Sequence, residues 1–274
     1  MKKPILSSNY KMDKETYLKI KKERLDALEA QKHKREEFCY TCFRLQTNCL
    51  CHLIKPFMTD FHFVILIHPM EAKKEKMGTG KISRASLLNS SMIMGVDFTE
   101  DSEVNDLIKN PDNHCMVMYP GNSAINVTEG DVKPLLDLKT QGKKLVIFLI
   151  DGTWPCAKKM MRLSKNLHSL PRISFTAHHK SIFEIKEQPA DYCLSTLESI
   201  QFFIQECNRR GLESTDKQED QMLEVFKAMI AFQIKCAEDP TLNTYRKRPG
   251  GFTKKEDRIR AKKWLYRNIV LADK

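Results

Sequence analysis

The sequence lacks any apolar run close to the roughly 20 residues that a membrane-spanning helix needs. Its N-terminus, MKKPILSSNYKMDKE, also lacks the apolar core of a secretory signal peptide. The mean hydropathy of -0.46 and the hydrophobic content of 41% are typical of a soluble protein. We therefore expect a cytoplasmic protein that does not bind membranes, and the sequence indicates no stable protein partner.

The sequence also has no internal repeat and no low-complexity tract. Its 274 residues are enough to bury a sizeable core as one large domain, or as one domain with appendages.

Acidic residues are absent from Gly152 to Phe183, where six residues are Lys or Arg. The tail from Thr244 to Lys274 carries 11 Lys or Arg against 3 Asp or Glu, a net +8 of the chain's +11. Such charge favours a polyanionic partner, although lysine-rich surfaces also arise without one. The residues expected to contact phosphate are Lys158, Arg162, Lys165, Arg246, Lys247 and Arg248. The first three have the spacing of one helix face, which solvent alone could also explain.

Four of the nine cysteines are clustered in the segment CYTCFRLQTNCLC, as Cys39, Cys42, Cys49 and Cys51. Two close pairs joined by a short turn can place four thiolates tetrahedrally around Zn²⁺. Metal binding then folds a segment that is too short to have its own core. Coincidence, redox thiols and an iron–sulfur cluster are the alternatives. The other five cysteines are scattered singly and are expected to be small core residues.

Near-continuous apolar runs predict the strands of a parallel sheet that is covered on both faces. The strong candidates are 61–69, 114–121 and 145–151, and the weaker ones are 172–176 and 190–194. Apolar residues at helical spacing predict helices over 83–94, 131–139, 155 to about 167, 195–209 and 216–236. This alternation of strands and helices predicts an α/β fold.

The strongest run, 145–151, ends abruptly on Asp151-Gly152-Thr153-Trp154. Ligand sites of open α/β sheets are built where the strands end, so these residues are candidates for a site. The alternative is a turn at Asp151-Gly152, with Trp154 packed into the core.

Together with the cysteine cluster, this motif resembles the DTW-domain proteins, which are tRNA-uridine aminocarboxypropyltransferases. The resemblance runs from Cys39 to about residue 240 and rests on several motifs in order. These are the four cysteines, His68-Pro69-x-Glu71, Thr79-Gly80, Tyr119-Pro120, Asp151-Gly152-Thr153-Trp154 and Ser195-Thr196-Leu197-Glu198. Where an arginine is expected before the last motif, this chain has Lys186 followed by Glu187.

The resemblance implies a SPOUT-like α/β fold with a trefoil knot. It also implies transfer of the 3-amino-3-carboxypropyl group of S-adenosylmethionine to N3 of a uridine in tRNA, which releases methylthioadenosine. The implied cofactor-binding residues are Tyr119, Pro120, Asp151, Gly152, Thr153, Leu194, Ser195, Thr196, Thr79 and Gly80.

Three residues are candidates for the chemistry. Asp151 is the first choice for the general base that removes the N3 proton. Glu198 is the second choice, although Ser195 and Glu198 also match an ordinary capping box. Trp154 could stack on uracil or simply pack. Lys186 lacks the planar fork of arginine, so the sequence does not identify the residue that holds the cofactor carboxylate.

We expect four segments along the chain: a charged helical arm at 1–37, a four-cysteine zinc module at 38–57, the DTW α/β domain at 58–240, and a basic tail at 241–274. Two other functions stay open. One is S-adenosylmethionine-dependent modification of another kind, such as methylation or modification of ribosomal RNA. The other is a zinc-containing RNA-binding protein without catalysis.

Overall fold

The computed structural model describes residues 15–16, 18–19, 21–23, 25–26, 39–42, 44–73, 78–183 and 193–238. Contacts within the chain divide it into two compact units, residues 1–49 and 50–274, which are described separately. In the first unit, the described residues between 15 and 26 are helical and exposed. The predicted basic tail lies outside the described residues.

The second unit contains a six-stranded sheet in which every pair of neighbouring strands is parallel. The strands are β1 (His62–Ile67), β2 (Ser90–Met94), β3 (Asn113–Met118), β4 (Ile125–Asn126), β5 (Lys144–Asp151) and β6 (Arg172–Ser174). Their order in space is β2-β1-β5-β3-β6-β4. The three strongest sequence candidates are the adjacent inner strands β1, β5 and β3, and the predicted parallel α/β sheet is confirmed.

Helices connect and cover these strands. They are α1 (Pro69–Lys73), α2 (Thr79–Ser86), α3 (Ser102–Lys109), α4 (Lys133–Thr140), α5 (Trp154–Leu163), α6 (Lys165–His168), α7 (Thr196–Arg209) and α8 (Asp220–Glu238). Short 3₁₀ turns lie at Gln46–Asn48 and Cys51–Leu53. Within the described ranges, no helix combines the length and the apolar character needed to cross a bilayer.

Each face of the sheet has its own hydrophobic core, because successive residues of a strand point to opposite faces. Ile147 of β5 packs with residues of α2, α7 and α8, including Ile82, Phe203 and Phe226. Its neighbour Phe148 belongs to the core on the opposite face, which residues of α3 and α5 cover. Burial on both faces explains why the central strands are continuous apolar runs rather than alternating ones.

The helix predicted over 83–94 is wrong in its second half. Helix α2 ends at Ser86, and Ser90–Met94 forms the edge strand β2. Asn89 anchors the turn between them by donating to the carbonyl oxygens of Thr59 and Phe61. Backbone pairing with β1 is a long-range interaction that outweighs the helical spacing of this segment.

Two further helix boundaries differ from the prediction. The helix after Trp154 ends at Leu163, because the Ser164 hydroxyl accepts a hydrogen bond from the Phe98 amide and its backbone leaves helical geometry. Helix α8 begins at Asp220 rather than at Asp216, because Asp216 and Lys217 have positive φ angles of 52° and 62°. The strand predicted over 190–194 lies partly outside the described residues, and Cys193 and Leu194 are not in a strand.

Candidate active site

The ends of β1 and β5 bring two of the sequence motifs together. These strands are neighbours, with Ile67 opposite Asp151, and the His68 amide donates to the Asp151 carbonyl oxygen at 2.8 Å. Gly152 packs closely here, since a Cβ at this position would lie 3.2 Å from Cβ of Cys156, and it would also contact Cβ of His68 at 3.5 Å. His68-Pro69 and Asp151-Gly152 therefore occupy one edge of the sheet, the carboxyl edge, where open α/β folds bind ligands.

The Asp151 carboxylate lies where two helices begin. The Thr196 hydroxyl, in the first turn of α7, donates to Asp151 Oδ1 at 2.6 Å. On the other side, a Cβ at Gly80 in the first turn of α2 would lie only 2.3 Å from Asp151 Oδ2, so a side chain there would displace the carboxylate. Partial positive charge at helix N-termini favours a carboxylate in this position. Asp151 is only 6% exposed.

Two observations bear on the alternative interpretation of this motif, a turn at Asp151-Gly152 with Trp154 packed into the core. The hydrogen bond from Thr196 comes from a residue far along the chain, rather than from the turn after β5. Thr153 is the N-cap of α5 but makes no side-chain capping bond, and Pro155 lies in the first turn as predicted. Trp154 is 36% exposed, so its ring is available to a ligand rather than enclosed in the core.

Glu198 is buried and holds the start of α7 in place. The capping box with Ser195 is complete, with one hydrogen bond in each direction. The Glu198 carboxylate also accepts hydrogen bonds from the Ser181 hydroxyl and the Ile182 amide, both at 2.8 Å. Glu198 thus joins Ser181 and Ile182 to the start of α7. Lys186 and Glu187 lie between these points and outside the described residues.

Tyr119 and Pro120 follow β3 at the same edge of the sheet. The Tyr119 amide donates to the carbonyl oxygen of Ile173 in β6. Arg172, which no feature of the linear sequence singled out, contacts this loop through its guanidinium group. Leu194 is half-buried just before α7. The predicted cofactor loops thus come from β3, β5 and the N-terminus of α7.

The predicted basic stripe is divided between two helices. Lys158 and Arg162 are exposed on α5, but Lys165 begins α6 after the break at Ser164. The prediction of one continuous face through Lys165 is therefore wrong. Arg246, Lys247 and Arg248 lie outside the described residues.

The four clustered cysteines come together as the sequence predicts. The Sγ atoms of Cys39, Cys42, Cys49 and Cys51 all lie within 4.8 Å of one another. Those of Cys42 and Cys49 are 3.8 Å apart. A tetrahedral site with Zn–S bonds near 2.3 Å requires sulfur–sulfur distances of about 3.8 Å, so the thiol set fits a Zn²⁺ ion.

Three of the five scattered cysteines are buried, as expected for small core residues. Cys115 and Cys193 are almost fully buried, and Cys207 is completely so. Burial raises the pKa of the Cys115 thiol to about 11, and it raises that of Cys207 as well. Raised thiol pKa values make these residues poor nucleophiles and poor metal ligands at neutral pH. Cys156 and Cys236 are half-buried.

One cavity in the described residues lies away from this site. It has a volume of about 400 Å³ and is formed by the end of α7 and the turn before α8, including Asn208, Glu213 and Thr215. Glu213 accepts hydrogen bonds from the amides of Asp60 and Phe61, just before β1 begins. The cavity therefore lies near the opposite edge of the sheet, and we assign the site from chemistry rather than from cavity size.

Comparisons with known proteins agree with the motifs. The chain is 28% identical over 205 residues to tRNA-uridine aminocarboxypropyltransferase 2 of Mus musculus, which covers 73% of this chain and 64% of that protein. It is 28% identical over 180 residues to the Drosophila melanogaster protein of the same name, and the match covers 64% of this chain and 68% of that protein. It is 23% identical over 228 residues to tRNA-uridine aminocarboxypropyltransferase A of Arabidopsis thaliana, and the match covers 76% of this chain and 84% of that protein.

The chain thus spans about two thirds of the length of the animal relatives. No solved structure matches it. The family model for the DTW domain matches residues 36–234, which is well over half of the chain and includes every motif described above. The chain therefore belongs to the DTW domain family.

Proposed function

We propose that this protein transfers the 3-amino-3-carboxypropyl group of S-adenosylmethionine to N3 of a uridine in tRNA, with release of methylthioadenosine. The observation that carries the proposal is the position of Asp151, which lies between the first turns of α2 and α7 at the carboxyl edge of the sheet. The names of the relatives, tRNA-uridine aminocarboxypropyltransferases, support the same reaction. The SPOUT-like trefoil knot belongs to this proposal too.

Transfer to N3 of uridine requires the loss of the N3 proton. In the proposed reaction, N3 attacks the methylene carbon next to the sulfonium, the carbon–sulfur bond breaks, and its electron pair stays on sulfur. Neutral methylthioadenosine leaves, so no acid is needed at the leaving group. Asp151 takes the N3 proton as the general base, for which rate factors of about 10²–10⁴ are usual.

Thr196 and Gly80 suit Asp151 to this task. The Thr196 hydroxyl donates to Oδ1 and so stabilises the ionised carboxylate that a base requires. Gly80 lets α2 approach Oδ2 more closely than any residue with a side chain could. Glu198 already accepts three hydrogen bonds from other groups and is 2% exposed, so we assign it the role of positioning α7.

The proposed donor fits the chemistry of this edge. The loops after β3 and β5 and before α7 offer backbone groups, and the partly exposed Trp154 and half-buried Leu194 add apolar surface. A mixture of apolar walls and a few polar groups is typical of sites for small molecules. S-Adenosylmethionine supplies the electrophilic carbon and the sulfonium leaving group, while the residues of this chain bind and orient it.

The substrate RNA fits the same edge. Trp154 offers an aromatic face on which uracil can stack, an interaction worth about 1–3 kcal/mol per base. Lys158 and Arg162 are exposed on α5, the helix that Trp154 begins, where they can contact phosphates on either side of the uridine. The cysteine cluster is proposed to hold a structural zinc ion, since four thiolates close its coordination sphere.

The test is mass spectrometry of nucleosides from tRNA incubated with the protein and S-adenosylmethionine. We expect uridine to gain the mass of an aminocarboxypropyl group. A methyl adduct would instead favour the methyltransferase alternative. The absence of any adduct, with tRNA binding intact, would favour a non-catalytic RNA-binding protein.

Asp151→Asn tests the assigned base in the same assay. The amide has nearly the same size and can still accept from Thr196, but it cannot take a proton. We expect transfer to fall by about 10²–10⁴ while the melting temperature changes little. Asp131→Asn, at an exposed turn residue before α4, serves as the matched control and should remain active. Near-normal activity of Asp151→Asn would show instead that Asp151 only organises the two helix N-termini. Collapse of its fold would favour that structural role and leave the base unidentified.

A further inference from the structure

Arg172 stands at the first residue of β6, beside the loop that follows β3. Strand β6 pairs with the end of β3, where Arg172 lies opposite Val117. Tyr119 follows Val117 by two residues. Its side chain reaches along the edge to the Tyr119-Pro120-Gly121 loop. This loop is one of the three that we propose to bind the donor.

Tyr119 and Pro120 contact the guanidinium of Arg172, and Gly121 leaves room for it. Its central carbon lies 5.3 Å from the centroid of the Tyr119 ring, a cation–π contact. Its Nη1 atom donates to the Pro120 carbonyl oxygen at 3.3 Å. A Cβ at Gly121 would lie 2.7 Å from Nη1, so a side chain there would displace the guanidinium. These contacts place the guanidinium beside the loop.

The contacts of Arg172 leave most of its hydrogen-bonding capacity unused. A guanidinium has five N–H donors, and one donates to Pro120. In the part of the chain that the structure describes, Arg172 has no carboxylate partner, whereas Arg209 pairs with Glu206 and Lys139 with Asp60. Arg172 is half-buried and its bond to Pro120 is exposed, so a ligand can reach the guanidinium.

We propose that Arg172 binds an oxyanion at the carboxyl edge of the sheet, namely the carboxylate of the donor's aminocarboxypropyl group. The planar fork of a guanidinium matches a carboxylate with two parallel hydrogen bonds. This inference rests on the proposed function, since it takes S-adenosylmethionine as the donor. A phosphate of the RNA substrate presents the same chemistry from another source, and the experiment separates the two.

The experiment measures binding of S-adenosylmethionine and of its decarboxylated analogue, which keeps the adenosine and the sulfonium, to the full chain by calorimetry. Arg172→Gln should weaken binding of S-adenosylmethionine about tenfold to a hundredfold, the usual effect of losing a charged hydrogen bond. Binding of the decarboxylated analogue should change by less than about twofold. Arg84→Gln, at an exposed arginine in the last turn of α2, is the matched control and should alter neither affinity.

A second arm measures tRNA binding across a range of salt concentrations. If Arg172→Gln leaves both donor affinities unchanged but reduces the salt slope of tRNA binding by about 1, the oxyanion is a phosphate. Arg172→Lys keeps the charge without the fork and should bind the oxyanion with intermediate affinity. Thermal unfolding without ligand reports whether the glutamine variant folds. If it does not, Arg172→Lys replaces it in both arms.

The proposal is overturned if Arg172→Gln, or Arg172→Lys in its place, behaves like Arg84→Gln in both arms. Failure of the proposed function looks different. In that case the unmodified protein would neither bind the donor nor form the adduct, and the tRNA arm alone would decide whether Arg172 binds an oxyanion.

Discussion

At the scale of single residues, the site depends on the hydrogen bond between Thr196 and Asp151. The bond is 2.6 Å long and Asp151 is buried. A short hydrogen bond from a hydroxyl to a carboxylate is stronger than one between neutral groups. Hydrogen bonds to charged groups contribute about 1.5–3 kcal/mol to stability. The bond also fixes the orientation of the carboxylate, so Thr196 is a positioning residue for the proposed base.

Thr196→Val replaces the hydroxyl by a methyl group of similar size and leaves a buried carboxylate oxygen without this donor. We expect kcat for aminocarboxypropyl transfer to fall at least about tenfold, with KM for tRNA little changed, and stability to fall by about 1–3 kcal/mol. Thr196→Ser restores the hydroxyl and should recover most of both. The role is refuted if the serine variant is as impaired as the valine variant, or if only KM changes.

At the scale of elements, Glu198 connects the segment of Ser181 and Ile182 to the start of α7. It accepts from Ser181, Ile182 and Ser195, and its two oxygens are otherwise enclosed by protein. Because Thr196 is the first residue of α7, any movement of this helix end would also displace the hydroxyl that holds Asp151. The effect of Glu198 on catalysis is therefore expected to act through position.

Glu198→Ala should lower stability by about 2–4 kcal/mol, since it removes the capping box and leaves two further donors without their acceptor. Hydrogen exchange should show loss of protection at the amides of Ile182 and Ser195. Glu224→Ala, which removes an exposed pair with Lys227 on α8, is the control and should change little. A stable Glu198→Ala protein with protected amides but no transfer would instead identify Glu198 as the base.

At the scale of the whole molecule, the cysteine cluster is expected to provide a metal-dependent part of the stability. Elemental analysis of the purified protein should find close to one zinc ion per chain. Cys42→Ser should lose the metal and become less soluble, whereas Cys236→Ser, at a cysteine outside the cluster, should retain it. A metal-free preparation with an unchanged melting temperature would contradict the zinc site.

The basic tail makes a second prediction at this scale. Removal of the residues after Thr244 takes away a net charge of +8. Fewer counterions are then released on binding, so tRNA affinity should fall and its dependence on salt should flatten. Binding to unrelated RNA should weaken to a similar extent, because phosphate contacts carry no sequence information. An unchanged salt slope would assign the tail another role, such as packing through Trp264 and Tyr266.

The sequence by itself determined those features that depend on short-range patterns. The apolar runs of β1, β3 and β5 predict buried parallel strands, because only strands covered on both faces lack polar alternation. The sequence also predicts the capping box of Ser195 and Glu198 and the cysteine cluster, since the residues of each lie close together along the chain. The family motifs mark the candidate site for the same reason.

Only the tertiary structure decided which distant side chains meet and what each of them does. Asp151 and Thr196 are 45 residues apart, and Arg172 and Pro120 are 52 apart, so no local spacing predicts either contact. Residues 90–94 have helical spacing but form β2, because they pair with β1. Helix α5 stops before Lys165, where the Phe98 amide donates to the Ser164 hydroxyl. In each case a long-range interaction outweighed local preference, because burial and backbone pairing contribute more free energy than the preference of a few residues for helix.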